Sequence, residues 1–197
     1  MVRGTKIGVL ALQGAFREQA ETLDALGVET TLVKTPEQLS GVDAIVLPGG
    51  ESTTVDKLLD SSGLRTPLRD ALRDGMPALA VCAGLIVLAR EVVDGRADQQ
   101  PLGAIDVTVR RNGYGRQRES FEADLAVPAL ARAASGPFPA VFIRAPLVER
   151  VGPGVEVLAA LDGAPVLGRD GNVLFATFHP ELAGDLRVHQ LFVQKVG

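Results

Sequence analysis

Six short stretches hold the residue types that do chemistry. Cys82 follows the apolar run Ala78–Val81 and precedes Ala83-Gly84. A thiol on a strand-to-helix turn stands exposed above the carboxyl end of a sheet. There, backbone N–H groups and a helix N-terminus stabilise a thiolate and a developing oxyanion. Such an elbow needs small flanking residues, and Ala80-Val81-Cys82-Ala83-Gly84 is small at both outer positions. A buried structural cysteine fits the local sequence equally well, because free cysteine is among the most buried residue types.

His179 shifts that balance. It ends the run Phe175–Phe178 and opens His179-Pro180-Glu181. A thiol nucleophile needs a base, and an imidazole needs a third group to fix its tautomer. A turn through Pro180 brings the Glu181 carboxylate toward the ring. The other histidine, His189, falls within the closing helix and reads as a surface or packing residue.

Pro48-Gly49-Gly50-Glu51-Ser52-Thr53 breaks a buried strand with two glycines. Such a loop can aim N–H groups at an anion or a carbonyl oxygen. It lacks the dinucleotide fingerprint and the lysine of a P-loop. It serves equally as a tight turn with Ser52 or Thr53 capping the next helix, and the two readings are compatible. The basic run Arg110-Arg111-Asn112-Gly113-Tyr114-Gly115-Arg116-Gln117-Arg118 reads as a shaped loop, although four arginines also make a solvated face. Phe142-Ile143-Arg144-Ala145-Pro146 adds an arginine at a strand end. Arginine suits a carboxylate because it binds bidentately.

Alternating elements have to position these groups. The patterns predict strands over 6–12, 28–34, 44–47 and 78–81. Helices are predicted over 15–26, 54–60, 64–73 and 84–90, with a short connector from Pro36. That alternation predicts a mostly parallel sheet with helices on both faces. Ala44-Ile45-Val46-Leu47 and Ala78-Leu79-Ala80-Val81 are continuously apolar, as strands buried on both faces should be. The second half predicts strands over 105–110, 120–125, 140–144, 155–161, 165–169 and 173–178, in a mixed or antiparallel part, then a helix over 185–196. Residues 126–139, rich in Ala, Pro and Gly, read as a surface excursion.

Composition bounds the rest. The chain has 197 residues, 20 Lys and Arg against 24 Asp and Glu, and a formal charge of −4. That length favours a single domain spanning 1–197. Mild acidity argues against nucleic-acid binding. One cysteine and two histidines argue against a metal site built on those residues. The longest uncharged stretch near the middle, Met76–Ala89, has 14 residues and contains Pro77 and Gly84, whereas a membrane span needs about 20. No secretory pattern opens the chain, so a soluble, reduced, cytoplasmic protein is expected.

Taken in order, Leu10-Ala11-Leu12-Gln13-Gly14, the Pro-Gly-Gly-Glu-Ser-Thr run, Cys82-Ala83-Gly84, the Arg-Asn-x-x-Gly-Arg-Gln run, Phe-Ile-Arg-Ala-Pro and Phe-His-Pro-Glu resemble one family. It is the glutaminase subunit of the two-component pyridoxal 5′-phosphate synthase, within the class I glutamine amidotransferases. The resemblance runs from Lys6 to the last helix. The Cys and His-Pro-Glu pieces alone identify the superfamily; the Pro-Gly-Gly-Glu-Ser-Thr, Arg-Asn-x-x-Gly-Arg-Gln and Phe-Ile-Arg-Ala-Pro runs together mark the subunit.

The resemblance implies a three-layer, flavodoxin-like α/β fold. It implies a Cys82-His179-Glu181 triad that hydrolyses L-glutamine through a glutamyl thioester. It implies an oxyanion hole from Gly50 and Ala83, and glutamine contacts at Gly50, Glu51, Ser52, Arg111, Ile143 and Arg144. The implied partner is a separate (β/α)8-barrel synthase subunit, in a large hetero-oligomer, that receives the ammonia. The coenzyme is then a product of the complex; the chain needs no cofactor and no metal. Two departures stand out. The family usually has Gly-Thr where Ala80-Val81 stand, and a small residue with Phe where Gly113-Tyr114 stand. A sibling reading is the glutaminase subunit of another amidotransferase, such as imidazole glycerol phosphate synthase, which would not share the Arg-Asn run. A stress-type cysteine hydrolase would explain neither His-Pro-Glu nor the arginines. An inert interaction subunit of the same fold would be expected to have lost part of the triad.

Overall fold

The computed structural model describes residues 4–113, 120–130 and 136–196. Its frame is a seven-stranded sheet. In chain order the first half runs β1 (Lys6–Leu10), α1 (Phe16–Ala25), β2 (Glu29–Val33), α2 (Pro36–Leu39), β3 (Ala44–Leu47), α3 (Ser52–Ser61), α4 (Arg65–Arg73), β4 (Ala78–Val81), α5 (Ala83–Leu88) and β5 (Ala89–Val93). The second half runs β6 (Ile105–Arg110), β7 (Ser120–Leu125), β8 (Phe138–Ile143), β9 (Leu147–Val151), β10 (Val155–Leu161), β11 (Ala164–Asp170), β12 (Val173–Ala176) and α6 (Arg187–Val196).

The large sheet is ordered β10-β11-β12-β4-β3-β1-β2. Strands β2, β1, β3, β4 and β12 are mutually parallel, and β11 and β10 extend the sheet antiparallel. The chain steps outward from β1 to β2, then returns to β3 on the other side of β1. That reversal opens a crevice at the carboxyl ends of β1 and β3, where open α/β sheets bind ligands.

Period-two alternation sends each strand's residues into two cores. Ile45 and Leu47 of β3, Ala78 and Ala80 of β4, and Phe175 of β12 enter one core, with side chains of α2 to α5. Ala44, Val46, Leu79, Val81, Leu174 and Ala176 enter the other, with Leu23 of α1 and Val188 and Phe192 of α6. Strands β3, β4 and β12 are buried at every position, whereas edge strand β2 is mostly uncovered.

The second half is both added to the large sheet and packed beside it. A three-stranded sheet, β5-β6-β9, sends Ile105, Val107, Val109 and Val148 into the first core. A β7-β8 hairpin sends Leu125, Phe138, Ala140 and Phe142 into the second. Three local expectations are corrected or refined. The helix expected over 84–90 ends at Leu88, and the chain enters β5 directly. All six α5 residues are buried, so no polar face marks where the helix stops. Strand β9 is not expected from its Leu-Val-Glu-Arg-Val sequence, which is short with two of five residues charged; Arg150 bonds across the sheet to Asp106 (2.5 Å). The segment 126–139 has mostly exposed residues at its described ends, as an excursion should, but it is pinned there at three side chains. Val127, Leu130 and Phe138 are buried, and the Arg187 guanidinium donates to the carbonyls of Gly136 (3.0 Å) and Pro137 (2.8 Å).

Candidate active site

Cys82 joins β4 to α5 with φ +48° and ψ −100°, a conformation costly for a residue with a Cβ. The neighbours enforce it. The Cys82 N–H donates to Ala176 O at 2.8 Å, which ties the turn to β12. Two residues on, a Cβ at Gly84 would fall 2.3 Å from Leu47 O, so only glycine lets α5 start this close to β3. Ala80 keeps the strand end small, and Val81 points into the second core.

His179 lies just beyond β12, the strand next to β4. Its N–H donates to Val141 O at 2.8 Å, and its ring is mostly buried. Pro180–Leu182 forms a single 3₁₀ turn. This turn brings Glu181 Oε1 to 2.7 Å from His179 Nδ1, with the Glu181 side chain fully covered. Cys82 lines the same pocket as this ring, beyond the end of the neighbouring strand. Burial pulls the His179 pKa down, but hydrogen bonds and charge from Cys82 and Glu181 outweigh it and push it up to about 10. An imidazolium held beside a sulfur at neutral pH can hand a proton to a departing amine.

The loop after β3 forms the facing wall. Gly49 has no room for a side chain: a Cβ there would lie 2.3 Å from His179 Cε1. Glu51, not Ser52 or Thr53, occupies the N-cap of α3, and no side chain caps that helix. The Thr53 hydroxyl donates instead to Glu51 Oε1 (3.2 Å), while Ser52 Oγ is buried with no hydrogen-bond partner among the described residues.

The two arginine stretches close the far side. Arg111 Nη2 donates to Glu51 Oε1 at 2.9 Å. Arg144 has φ +43° and Asn112 φ +49°. The Ile143 carbonyl faces Cys82 Sγ at 3.9 Å. Arg110 points elsewhere, pairing with Asp94 and with Glu149 (2.5 Å). Residues Tyr114, Gly115, Arg116, Gln117 and Arg118 lie outside the described residues.

A pocket of about 340 Å³ gathers these groups. Cys82, His179, Gly50, Glu51, Ser52, Arg111, Ile143 and Arg144 all line it. Glu181 stands behind His179, and Ala83 follows the nucleophile position. Gln13, Gly14, Ala15 and Glu18 also line it; Gln13-Gly14 belongs to the first family-marking run, but the sequence assigns none of the four to the substrate. Their signal was positional: they follow the first parallel strand at its carboxyl end. Asn112, also lining, belongs to the Arg-Asn run, whereas Leu182 carried no such signal. His189 takes no part. It is fully buried, not on the surface, and its Nε2 meets Gln19 Oε1 at 2.8 Å; burial pushes its pKa down to about 4. Among the described residues no group of three or more His, Cys, Asp or Glu side chains is placed to hold a metal ion, and no helix is long and apolar enough to cross a membrane.

A solved structure described as a glutamine amidotransferase superposes with a TM-score of 0.90 at 48% identity, covering 97% of this chain and 98% of that one. Fold and site thus define a class I glutamine amidotransferase. Residues 9–197 match the SNO glutamine amidotransferase family, and the chain belongs to it. Pyridoxal 5′-phosphate synthase subunit PdxT of Nocardia farcinica is 55% identical over 195 residues, covering 96% of this chain and 85% of the relative. The subunit of the same name in Carboxydothermus hydrogenoformans is 49% identical over 191 residues, 97% of both chains.

Proposed function

We propose that this chain is the glutaminase subunit of a pyridoxal 5′-phosphate synthase. In this reading it releases ammonia from L-glutamine and delivers it to a barrel-shaped synthase subunit within a larger cytoplasmic assembly. Cys82 attacks the side-chain amide carbon, and the C–N bond breaks as His179 gives its proton to the departing nitrogen. The products of that half-reaction are ammonia and a glutamyl thioester. Water, deprotonated by the now neutral His179, then cleaves the thioester to glutamate and restores Cys82. Glu181 holds the tautomer and stabilises the imidazolium. The Gly50 and Ala83 N–H groups receive the oxyanion. Gly50, Glu51, Ser52, Arg111, Ile143 and Arg144 hold the glutamine, with the arginines suited to its carboxylate and Glu51 to its ammonium group. No cofactor or metal enters these steps.

The observation that carries the reading is that Cys82 and His179 follow adjacent parallel strands and line one pocket, with His179 Nδ1 at 2.7 Å from Glu181 Oε1. The test is glutamate production from glutamine, with and without the synthase subunit. Wild type should be weakly active alone and faster with the partner. Cys82→Ser should release no glutamate while keeping its fold. Full activity in that variant, or equal wild-type rates with and without the partner, counts against the assignment.

A further inference from the structure

Two strand-end turns meet at the pocket, and the nucleophile, base and arginines do not account for how they are joined. The turn after β1 presents Gln13-Gly14-Ala15; the turn after β3 presents Gly49-Gly50-Glu51. Ala15 N–H donates to Gly49 O at 2.9 Å, and Gln13 Oε1 accepts the Glu51 N–H at 2.7 Å. The backbones touch between these two bonds. A Cβ on Gly14 would sit 2.0 Å from Gly49 O, and one on Gly50 would sit 2.4 Å from Gln13 Oε1. Gly14 itself has φ +99°, which favours glycine. The contact is therefore a fitted clasp, closed at one end by backbone and at the other by a single side-chain oxygen.

From this geometry we infer that Gln13 is a positioning residue for the glutaminase reaction. Its carboxamide oxygen, by holding the Glu51 amide, sets the orientation of the Gly50–Glu51 peptide against the pocket. The inference rests on the proposed glutaminase reading and deepens it. Gln13 touches no reacting atom in this account. It acts across the Gly50 Cα on the neighbouring Gly49–Gly50 peptide, whose N–H is assigned to the oxyanion and whose carbonyl accepts from Ala15, and through Glu51, whose carboxylate also holds Arg111. Among the described residues no other side chain accepts from the Glu51 N–H, and an unfixed peptide would have to be reordered in every transition state.

Two substitutions separate the oxygen from the bulk of the side chain. Gln13→Met keeps length and removes the acceptor; Gln13→Glu keeps an acceptor at the same reach. Each full-length variant is assayed with saturating synthase subunit. Gln13→Met should lose roughly 10- to 100-fold in kcat/KM for glutamine, the size expected when one strong hydrogen bond is lost, and Gln13→Glu should recover most of it. Alkylation of Cys82 by iodoacetamide needs no oxyanion site, so its rate should match wild type in both variants. Amide hydrogen exchange at Glu51 should quicken in Gln13→Met and stay slow in Gln13→Glu. Unchanged turnover in Gln13→Met, equal losses in both variants, or unchanged exchange at Glu51 would each overturn the clasp. So would a matching loss of alkylation. The wild-type assay judges the glutaminase reading separately, and the exchange measurement judges the clasp whether or not glutamine is the substrate.

Discussion

The large sheet and the two small sheets divide the work at this site. Strands β3, β4 and β12 of the large sheet end in Gly49-Gly50, Cys82 and His179, the groups suited to breaking a bond. The small sheets end in Arg111, after β6, and in Ile143-Arg144, at the end of β8, groups suited to gripping a substrate. The large-sheet groups are held by buried parallel strands and by backbone fits with no room for one added carbon. The small-sheet groups sit on left-handed residues and an ion pair. The large sheet supplies the chemistry and the small sheets supply the grip, and each half predicts its own kinetic signature.

The sharpest break should come on the large sheet. Gly49→Ala forces the His179 ring from its seat, since the new carbon would overlap Cε1. It should lower kcat by roughly 100-fold, the cost typical of a displacement near 1 Å, with a smaller change in KM. Steady-state kinetics on the variant decide this; a pure KM effect would erase the distinction between the two halves. On the small-sheet side, Arg111→Ala should raise KM by roughly 10-fold or more through loss of charge-assisted bonds, while Cys82 alkylation keeps its rate. A fall in kcat with unchanged KM would place Arg111 in the chemistry instead.

The pH dependence sharpens the same contrast. His179 is raised in the fold from the ordinary 6.5 to about 10. A raised base contributes its stability in full below pH 6.5, and that contribution drains as pH climbs toward 10. Melting temperature should therefore fall across that window in wild type and less steeply in Glu181→Gln, where one source of the shift is gone. Equal slopes would mean that the carboxylate does not hold the proton.

The smallest effect on turnover should come from His189→Ala. This histidine lies between α1 and α6 with Gln19, far from the reacting groups in role. The variant leaves the Gln19 amide buried and unpaired, which costs about 2 kcal/mol and lowers Tm by about 4–8 °C for a chain of this size. Its kcat should remain near wild type. A large loss of kcat would mean that the wrong histidine was chosen.

Much of the large sheet was legible along the chain. Ala44–Leu47 and Ala78–Val81 were bounded to the residue, because strands buried on both faces are apolar at every position. His-Pro-Glu announced its own geometry, since proline fixes the backbone and leaves the carboxylate two residues from the ring. The small sheets were less legible. Strand β9 hides its register in cross-strand ion pairs, and β5 starts without a turn at the end of a wholly buried helix. The Ser52 and Thr53 capping expectation failed for a related reason: Glu51 and Arg111, 60 positions apart, meet there and claim the Thr53 hydroxyl. Gln13 looked like an ordinary turn residue, because its partner is the backbone of Glu51, 38 positions on.

The sequence by itself determined the α/β class, the strand-end places of Cys82 and His179, and the family, because periodicity and short motifs are local properties of the chain. Only the tertiary structure decided that Arg110 pairs away from the pocket, that His189 is buried, and that Gln13 clasps the glycine loop. Those facts depend on which backbones come into contact across tens of residues, and no local pattern encodes a contact whose other half is a main-chain atom.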